Sequence, residues 1–170
     1  MSVFEHKKQA PKLVKCKVIT VSDTRTEETD KSGNLIKELL IDGGHAIQQY
    51  EIVKDEMNDI HLAVMKGIEN EEIDAILLNG GTGIAYRDVT IETVQKLLDK
   101  EIVGFGELFR MLSYTEDIGS AAILSRAIAG VSKHTAIFSM PGSSGAVKLA
   151  MNKLILPELA HVIREIKKDM

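Results

Sequence analysis

The feature that most constrains this chain is the segment Ile73 to Gly83. An apolar run from Ile73 to Leu78, broken only by Asp74, passes directly into Asn79-Gly80-Gly81-Thr82-Gly83. A strand this apolar fits a parallel sheet covered on both faces, and the glycines let the chain turn sharply as it leaves the sheet. Other segments repeat the plan. Lys17 to Val21 is a short apolar strand followed by Ser22-Asp23-Thr24-Arg25-Thr26, Ala46 to Val53 is followed by Asp55-Glu56, and Thr135 to Ser139 leads into Met140-Pro141-Gly142-Ser143-Ser144-Gly145.

Helical patterns separate these strands. Asp30 or Ser32 can cap a helix carrying Leu35, Ile36, Leu39 and Leu40, which ends at Gly43-Gly44. Ile60, Val64 and Ile68 recur every four residues over 58–69, and Thr90 can cap a helix carrying Val94, Leu97 and Leu98. Further helices are expected after Gly104-Phe105-Gly106, over Ala121 to Ile128, and from Gly145 to about Lys167 with a break or kink near Pro157. Alternating strands and helices predict an α/β fold, a three-layer sandwich with a mostly parallel central sheet. Its 170 residues suit one domain. Residues 1–12 read as a loose, flexible arm, and 13–170 as the single domain.

Composition narrows the function. The net charge of -4 argues against a nucleic-acid partner. No apolar run approaches the roughly 20 residues of a membrane span, and the polar start lacks the apolar core of a signal peptide. Cys16 is the only cysteine, so no disulfide forms within the chain. A cytoplasmic protein with no membrane partner is expected. The five histidines are scattered without HxxxH or HExxH spacing and carry no zinc signature. No Gly-x-Ser-x-Gly elbow is present.

In an open α/β sheet, ligands bind beyond the carboxyl ends of the strands. The four polar loops should therefore converge on one crevice. Backbone N–H groups of Gly80 to Gly83 can approach a phosphate closely, with the Thr82 hydroxyl as a further donor. The loop is neither a Walker A nor a complete Rossmann fingerprint, and taken alone it is equally a sharp turn. Asp88, with Asp55 as second carboxylate, suits Mg2+ held against phosphates. Arg87 can pair a phosphate. In isolation Asp88 also fits a helix N-terminus, and Ser143 an ordinary helix cap.

Taken together and in order, these motifs are more specific. Val21-Ser22-Asp23-Thr24-Arg25, Asp30-Lys31-Ser32-Gly33, Asn79-Gly80-Gly81-Thr82-Gly83, Arg87-Asp88-Val89-Thr90, Gly104-Phe105-Gly106-Glu107 and Met140-Pro141-Gly142-Ser143 resemble the molybdopterin-binding MoaB/MogA family of molybdenum-cofactor biosynthesis, over about residues 14–166, with MoaB the nearer branch. The resemblance implies a homotrimer, or a hexamer of paired trimers, that binds molybdopterin and ATP. It implies transfer of AMP from ATP to the terminal phosphate of molybdopterin with Mg2+, or, alternatively, a non-catalytic molybdopterin carrier. Other enzymes of the pathway are implied as partners. By this resemblance Asp55 and Asp88 are the catalytic and metal-binding acids, although Lys54 stands where the family usually has proline. Gly80, Gly81, Thr82 and Gly83 match the nucleotide and pterin phosphate loop. Ser22, Asp23, Pro141, Gly142 and Ser143 match the loops that shape the rest of the pocket, and Glu107 matches the acid of the Gly-Phe-Gly-Glu motif.

Overall fold

The computed structural model describes all 170 residues. Six strands form one sheet: β1 (Lys15–Val21), β2 (Ala46–Val53), β3 (Ala75–Asn79), β4 (Lys100–Glu101), β5 (Ile128–Ser132) and β6 (Thr135–Met140). Their order is β2-β1-β3-β6-β5-β4. The first four in that order run parallel, whereas β5 and β4 are antiparallel to their neighbours. The three-layer, mostly parallel architecture expected from the sequence is what forms.

Alternation along each strand sorts side chains into two cores. Cys16, Val18, Ala75, Leu77, Ala136 and Phe138 face one side, under α2 (Lys31–Asp42), α5 (Val103–Glu116), α6 (Ser144–Ala150) and α7 (Leu156–Lys167). Ile19, Val21, Ile76, Leu78 and Ile137 face the other, under α3 (Met57–Glu69) and α4 (Thr90–Leu97). Every residue of β3 and of β6 is buried, as covering both faces requires. Few aromatics are available, and three of them cluster: Phe105 stands edge-on to Phe138 at 5.5 Å and stacks with Phe109 at 6.4 Å. The Cys16 thiol is buried within this core, and the loss of hydration pushes its pKa up to about 12, so it is an inert packing group.

The chain leaves β1 in both directions. Helix α2 carries it to β2 on one side, and α3 carries it back past β1 to β3 on the other. The switch of direction lies between β1 and β3, where their carboxyl ends diverge and leave a crevice.

Some elements differ from the sequence expectation. Ala121 to Ile128 is not an α-helix: Gly119–Leu124 is a 3-10 turn, and Ile128 starts β5. The short edge strand β4 and the hairpin β5–β6 carry no recognisable turn signal, because Lys133, at φ 53°, occupies the left-handed position usually given to glycine or asparagine. Val3–Lys8 forms a short helix, α1, capped by Ser2 and Glu5 and lying on α7 where a loose arm is expected. The break near Pro157 is a π-helical turn, Met151–Ile155, which accommodates a residue lacking an N–H. Val89 precedes α4, and Thr90 is its first helical residue rather than its cap.

Asp30 caps α2 as expected, its Oδ1 accepting from the Gly33 amide at 2.9 Å. It does more than cap. Its Oδ2 accepts from the Thr20 hydroxyl and the Tyr50 hydroxyl, each at 2.6 Å, and Arg25 lies 3.4 Å from Oδ1. Burial pushes this carboxyl up, but Thr20, Tyr50, the Gly33 amide and Arg25 together outweigh it and hold its pKa below the usual value. A carboxylate with a depressed native pKa stabilises the fold above the unfolded value of roughly 3.9, and that stability is lost as pH falls through the native pKa. Asp30→Ala should therefore cost about 3 kcal/mol in urea denaturation at pH 7, by stranding buried donors. Asp30→Asn should flatten the acid limb of the stability curve below about pH 5.

Candidate functional site

The crevice at the carboxyl ends of β1 and β3 has a volume of about 470 Å³ and a largely polar lining. The loops after β1, β2, β3 and β6 all contribute to it, as the strand pattern predicts. Its floor is the glycine loop. Gly80 and Gly81 have φ values of 96° and 65°, the left-handed region that side chains resist. A Cβ on Gly80 would lie 2.3 Å from the carbonyl oxygen of Val21, so this loop rests directly on the end of β1. The Gly80 amide donates to Met140 O at 3.1 Å, and the Gly142 Cβ position falls 3.2 Å from Gly80 Cα. Three strand ends are thereby locked together.

Side chains behind the loop hold it. Asn79 donates to Thr20 Oγ1 at 2.9 Å and accepts from Ser32 Oγ at 2.8 Å. Arg25 bonds Ser32 and donates to the carbonyl of Gly142 at 3.0 Å, tying the β1 loop to the β6 loop. Arg126 does the same from the opposite side. Its guanidinium donates to the carbonyls of Thr82 at 2.9 Å and Gly83 at 2.7 Å and also bonds Glu92. With their carbonyls drawn away by arginines, the loop residues offer the crevice N–H-rich backbone, which favours an anion.

Two carboxylates share this space. Asp55 and Asp88 both line the crevice and both are half-buried. Burial raises the pKa of Asp55, and the charges of Asp23 and Asp88 raise it further. Asp88 does not cap α4; its Oδ2 accepts from the Ala85 amide at 2.9 Å and so folds the turn that follows the glycine loop. Two acids in one crevice otherwise suited to anions make a donor set for a hard divalent cation.

The remaining expected residues fall around this centre. Ser22, Gly80, Gly81, Thr82, Gly83, Pro141 and Gly142 line the crevice. Asp23 sits at the rim in a bidentate pair with Arg87, at 2.9 and 3.1 Å, which holds its carboxyl below the usual range. Arg87 also pairs with Glu56 at 3.1 Å, so it bridges rim acids rather than facing inward. Ser143 caps α6 through the Ala146 amide at 3.2 Å and is not part of the lining. Glu107 is exposed on α5 and is also outside the lining. Thr24, in the loop expected to converge here, also lines the crevice, whereas Arg25, Leu124 and Ser125 as lining residues and Arg126 as a clamp were not anticipated. Arg25 directly follows the Ser-Asp-Thr loop and was within reach of that argument; Arg126 acts across more than forty residues and left no local signal.

Comparison with known proteins agrees with this architecture. Residues 17–161 match the family described as "Probable molybdopterin binding domain". Molybdenum cofactor biosynthesis protein B of Bacillus subtilis (strain 168) is 69% identical over 169 residues, covering 99% of each chain. A crystal structure of a molybdenum cofactor biosynthesis protein B superposes with a TM-score of 0.92 at 65% identity, covering 94% of this chain and 99% of that one. The tungsten cofactor synthesizing protein MoaB from Pyrococcus furiosus superposes with a TM-score of 0.84 at 40% identity, covering 93% and 99%. The matched domain, the near full-length relatives and the shared fold establish that this chain belongs to the MoaB/MogA family of molybdenum-cofactor biosynthesis proteins, on its MoaB branch.

Proposed function

We propose that the crevice binds molybdopterin and ATP and that the protein is a molybdopterin adenylyltransferase. The observation that carries this reading is the placing of Asp55 and Asp88 against the backbone of Gly80 to Gly83 in one cavity. A simple anion site has no use for two acids, whereas joining two polyanions requires donors for the phosphates and a cation between them. Asp55 and Asp88 would hold Mg2+, which supplies charge neutralisation between the pterin phosphate and the ATP α-phosphate.

The chain's own groups do the rest. Amides of Gly80 to Gly83 and the Thr82 hydroxyl orient the phosphates. Arg25 and Arg126 keep the loops at a fixed separation, so little reorganisation accompanies the reaction. The terminal phosphate oxygen of molybdopterin attacks the α-phosphorus of ATP, its P–O bond forms, and pyrophosphate leaves. No covalent enzyme intermediate is needed.

The acting assembly is a homotrimer or hexamer in this reading. Val103, Leu108, Met111 and Tyr114 on α5, with Ile118 and Ile123 beyond it, leave a run of large apolar side chains exposed in one chain. Leu124 and Ser125 continue that surface into the crevice. Patches of this kind mark protein contacts, and light scattering of the purified protein should report three or six chains; a stable monomer at micromolar concentration overturns the assembly.

Incubation with molybdopterin, ATP and Mg2+ should yield adenylylated pterin. Asp88→Asn keeps size and removes charge; it should slow turnover by about 10²-fold, or about 2.7 kcal/mol of barrier, with pterin affinity measured on the same sample largely unchanged. Full activity in Asp88→Asn refutes the metal role. A protein that binds the pterin without ever adenylylating it is a carrier.

Protons and Mg2+ compete for Asp55, whose pKa lies above its ordinary value. Activity should fall on the acid side as Asp55 is protonated, and raising the Mg2+ concentration should move that limb to lower pH. A limb that stays in place at tenfold higher Mg2+ removes Asp55 from the cation site.

A further inference from the structure

We propose that His6, His161 and Glu165 form a binding site for a borderline divalent metal of the zinc class, joining helix α1 to helix α7 away from the crevice. Their ligand atoms all lie within 4.8 Å of one another. His6 Nδ1 is 3.0 Å from Glu165 Oε1, and His161 Nε2 is 4.0 Å from the same oxygen. All three residues are half-buried.

The imidazole of His161 is prepared for this role. Its Nδ1 lies 2.9 Å from Glu158 Oε2, so donating that proton to the carboxylate leaves an Nε2 lone pair free, 4.0 Å from Glu165 Oε1. A carboxylate that orients a metal-ligating histidine through its second nitrogen is a recurring arrangement. At 4.0 Å the Nε2 atom is too far from Glu165 for a hydrogen bond, and the gap suits an ion. Tetrahedral zinc, with bonds of about 2.0–2.2 Å, brings its ligands to about 3.4 Å from one another. Small rotations of exposed-edge side chains close the difference. Two imidazoles and one carboxylate favour zinc over magnesium or calcium, which prefer all-oxygen sets. The fourth position is left to water, and the open depression of about 540 Å³ that His161 and Glu165 help to line gives access.

The way α1 is attached shows what such an ion would do. The helix has six residues and buries none of them. A helix so short has little stability of its own, and it sends no side chain into either core. Its links to α7 are mainly polar: Lys7 to Glu158, Arg164 to Gln9 at 2.8 Å, and His6 to Glu165, with the His6 ring edge-on to His161 at 5.8 Å. Arg164 and Lys168 also bond Glu165, at 2.5 and 3.1 Å, and their charge opposes a cation. Affinity is therefore lower than in a closed structural zinc site, and occupancy follows the free metal concentration.

The test is zinc titration of the untagged, metal-stripped full chain by calorimetry, with hydrogen exchange of the 3–8 amides read on the same samples. The intact protein should take up one more equivalent per chain than His6→Gln or His161→Gln, or bind that equivalent at least about tenfold more tightly. Zinc should slow exchange across α1 in the intact protein and in His134→Gln, but not in the two site variants. His6 lies outside both cores, so its replacement leaves the fold standing. Identical titrations for the intact chain and both site variants overturn the site, as does α1 exchange that zinc leaves unchanged. Because the readouts concern metal uptake and α1, they are independent of the crevice and of any adenylyl transfer.

Discussion

The interaction on which the rest depends is the buried carboxylate of Asp30. It receives Thr20 from β1, Tyr50 from β2 and the amide of Gly33 from α2. Thr20 in turn accepts from Asn79 at the end of β3, and Asn79 accepts from Ser32 in α2. One charge thus sets the relative positions of three strand ends and a helix. An ionised group fully removed from water is tolerated only when its lone pairs are satisfied, so the four elements have one arrangement in which this carboxylate is stable. The glycine loop begins at the residue after Asn79, and its placement is inherited from this network.

Positive charge in the crevice follows a second logic. The guanidinium groups of Arg25 and Arg126 bond loop carbonyls, and Arg87 bonds Asp23 and Glu56 at the rim. All three are committed to those bonds, and of them only Arg87 lowers the pKa of Asp55. The carboxyl of Asp55 nonetheless sits above its ordinary pKa, through burial first and then the charges of Asp23 and Asp88. In the proposed reading, a site that uses arginines for shape and keeps two acids in its lining takes a polyanion together with its own cation, because either partner alone would meet uncompensated charge. The same division of labour explains why Arg126 was hard to read as a site residue: it acts on the Thr82 and Gly83 carbonyls, and backbone carries no sequence label.

Legibility in the sequence followed the range of the interaction. Strands β1, β3 and β6 announced themselves because burial on both faces demands apolar runs, and their ends because glycine and small polar residues follow at once. The Asp30 cap was legible since the cap and the Gly33 amide that donates to it lie three residues apart. Strands β4 and β5 were not. β4 has two residues, and the β5–β6 hairpin turns on Lys133 and His134, held by the Asp99 carboxylate 2.6 Å from the Lys133 amide rather than by turn chemistry of its own. Ala121 to Ile128 reads as helix from its small apolar residues, but pairing of Ile128 with Ser139 overrides that preference. Glu107 belongs to a motif legible in sequence, yet its direction depends on Phe105 and Phe109 turning inward toward Phe138, which leaves Glu107 on the outer face of α5.

The glycine loop shows why fold and site cannot be varied separately. Gly80 lies against the Val21 carbonyl, and Gly81 lies over the Thr90 hydroxyl, with Asp55 Oδ1 3.0 Å from where its Cβ would stand. Thr90 Oγ1 is buried and has no hydrogen-bond partner among the protein groups. A side chain at either glycine would have to displace backbone or a crevice carboxylate. Absence of side chains here therefore serves two ends at once: it lets β1 and β3 close against each other, and it keeps the distance between amide donors and Asp55 short. A substitution that loosened this packing would move the carboxylate relative to the donors even if every named side chain survived, and displacements of about 1 Å are enough to cost a catalytic site of the proposed kind much of its rate.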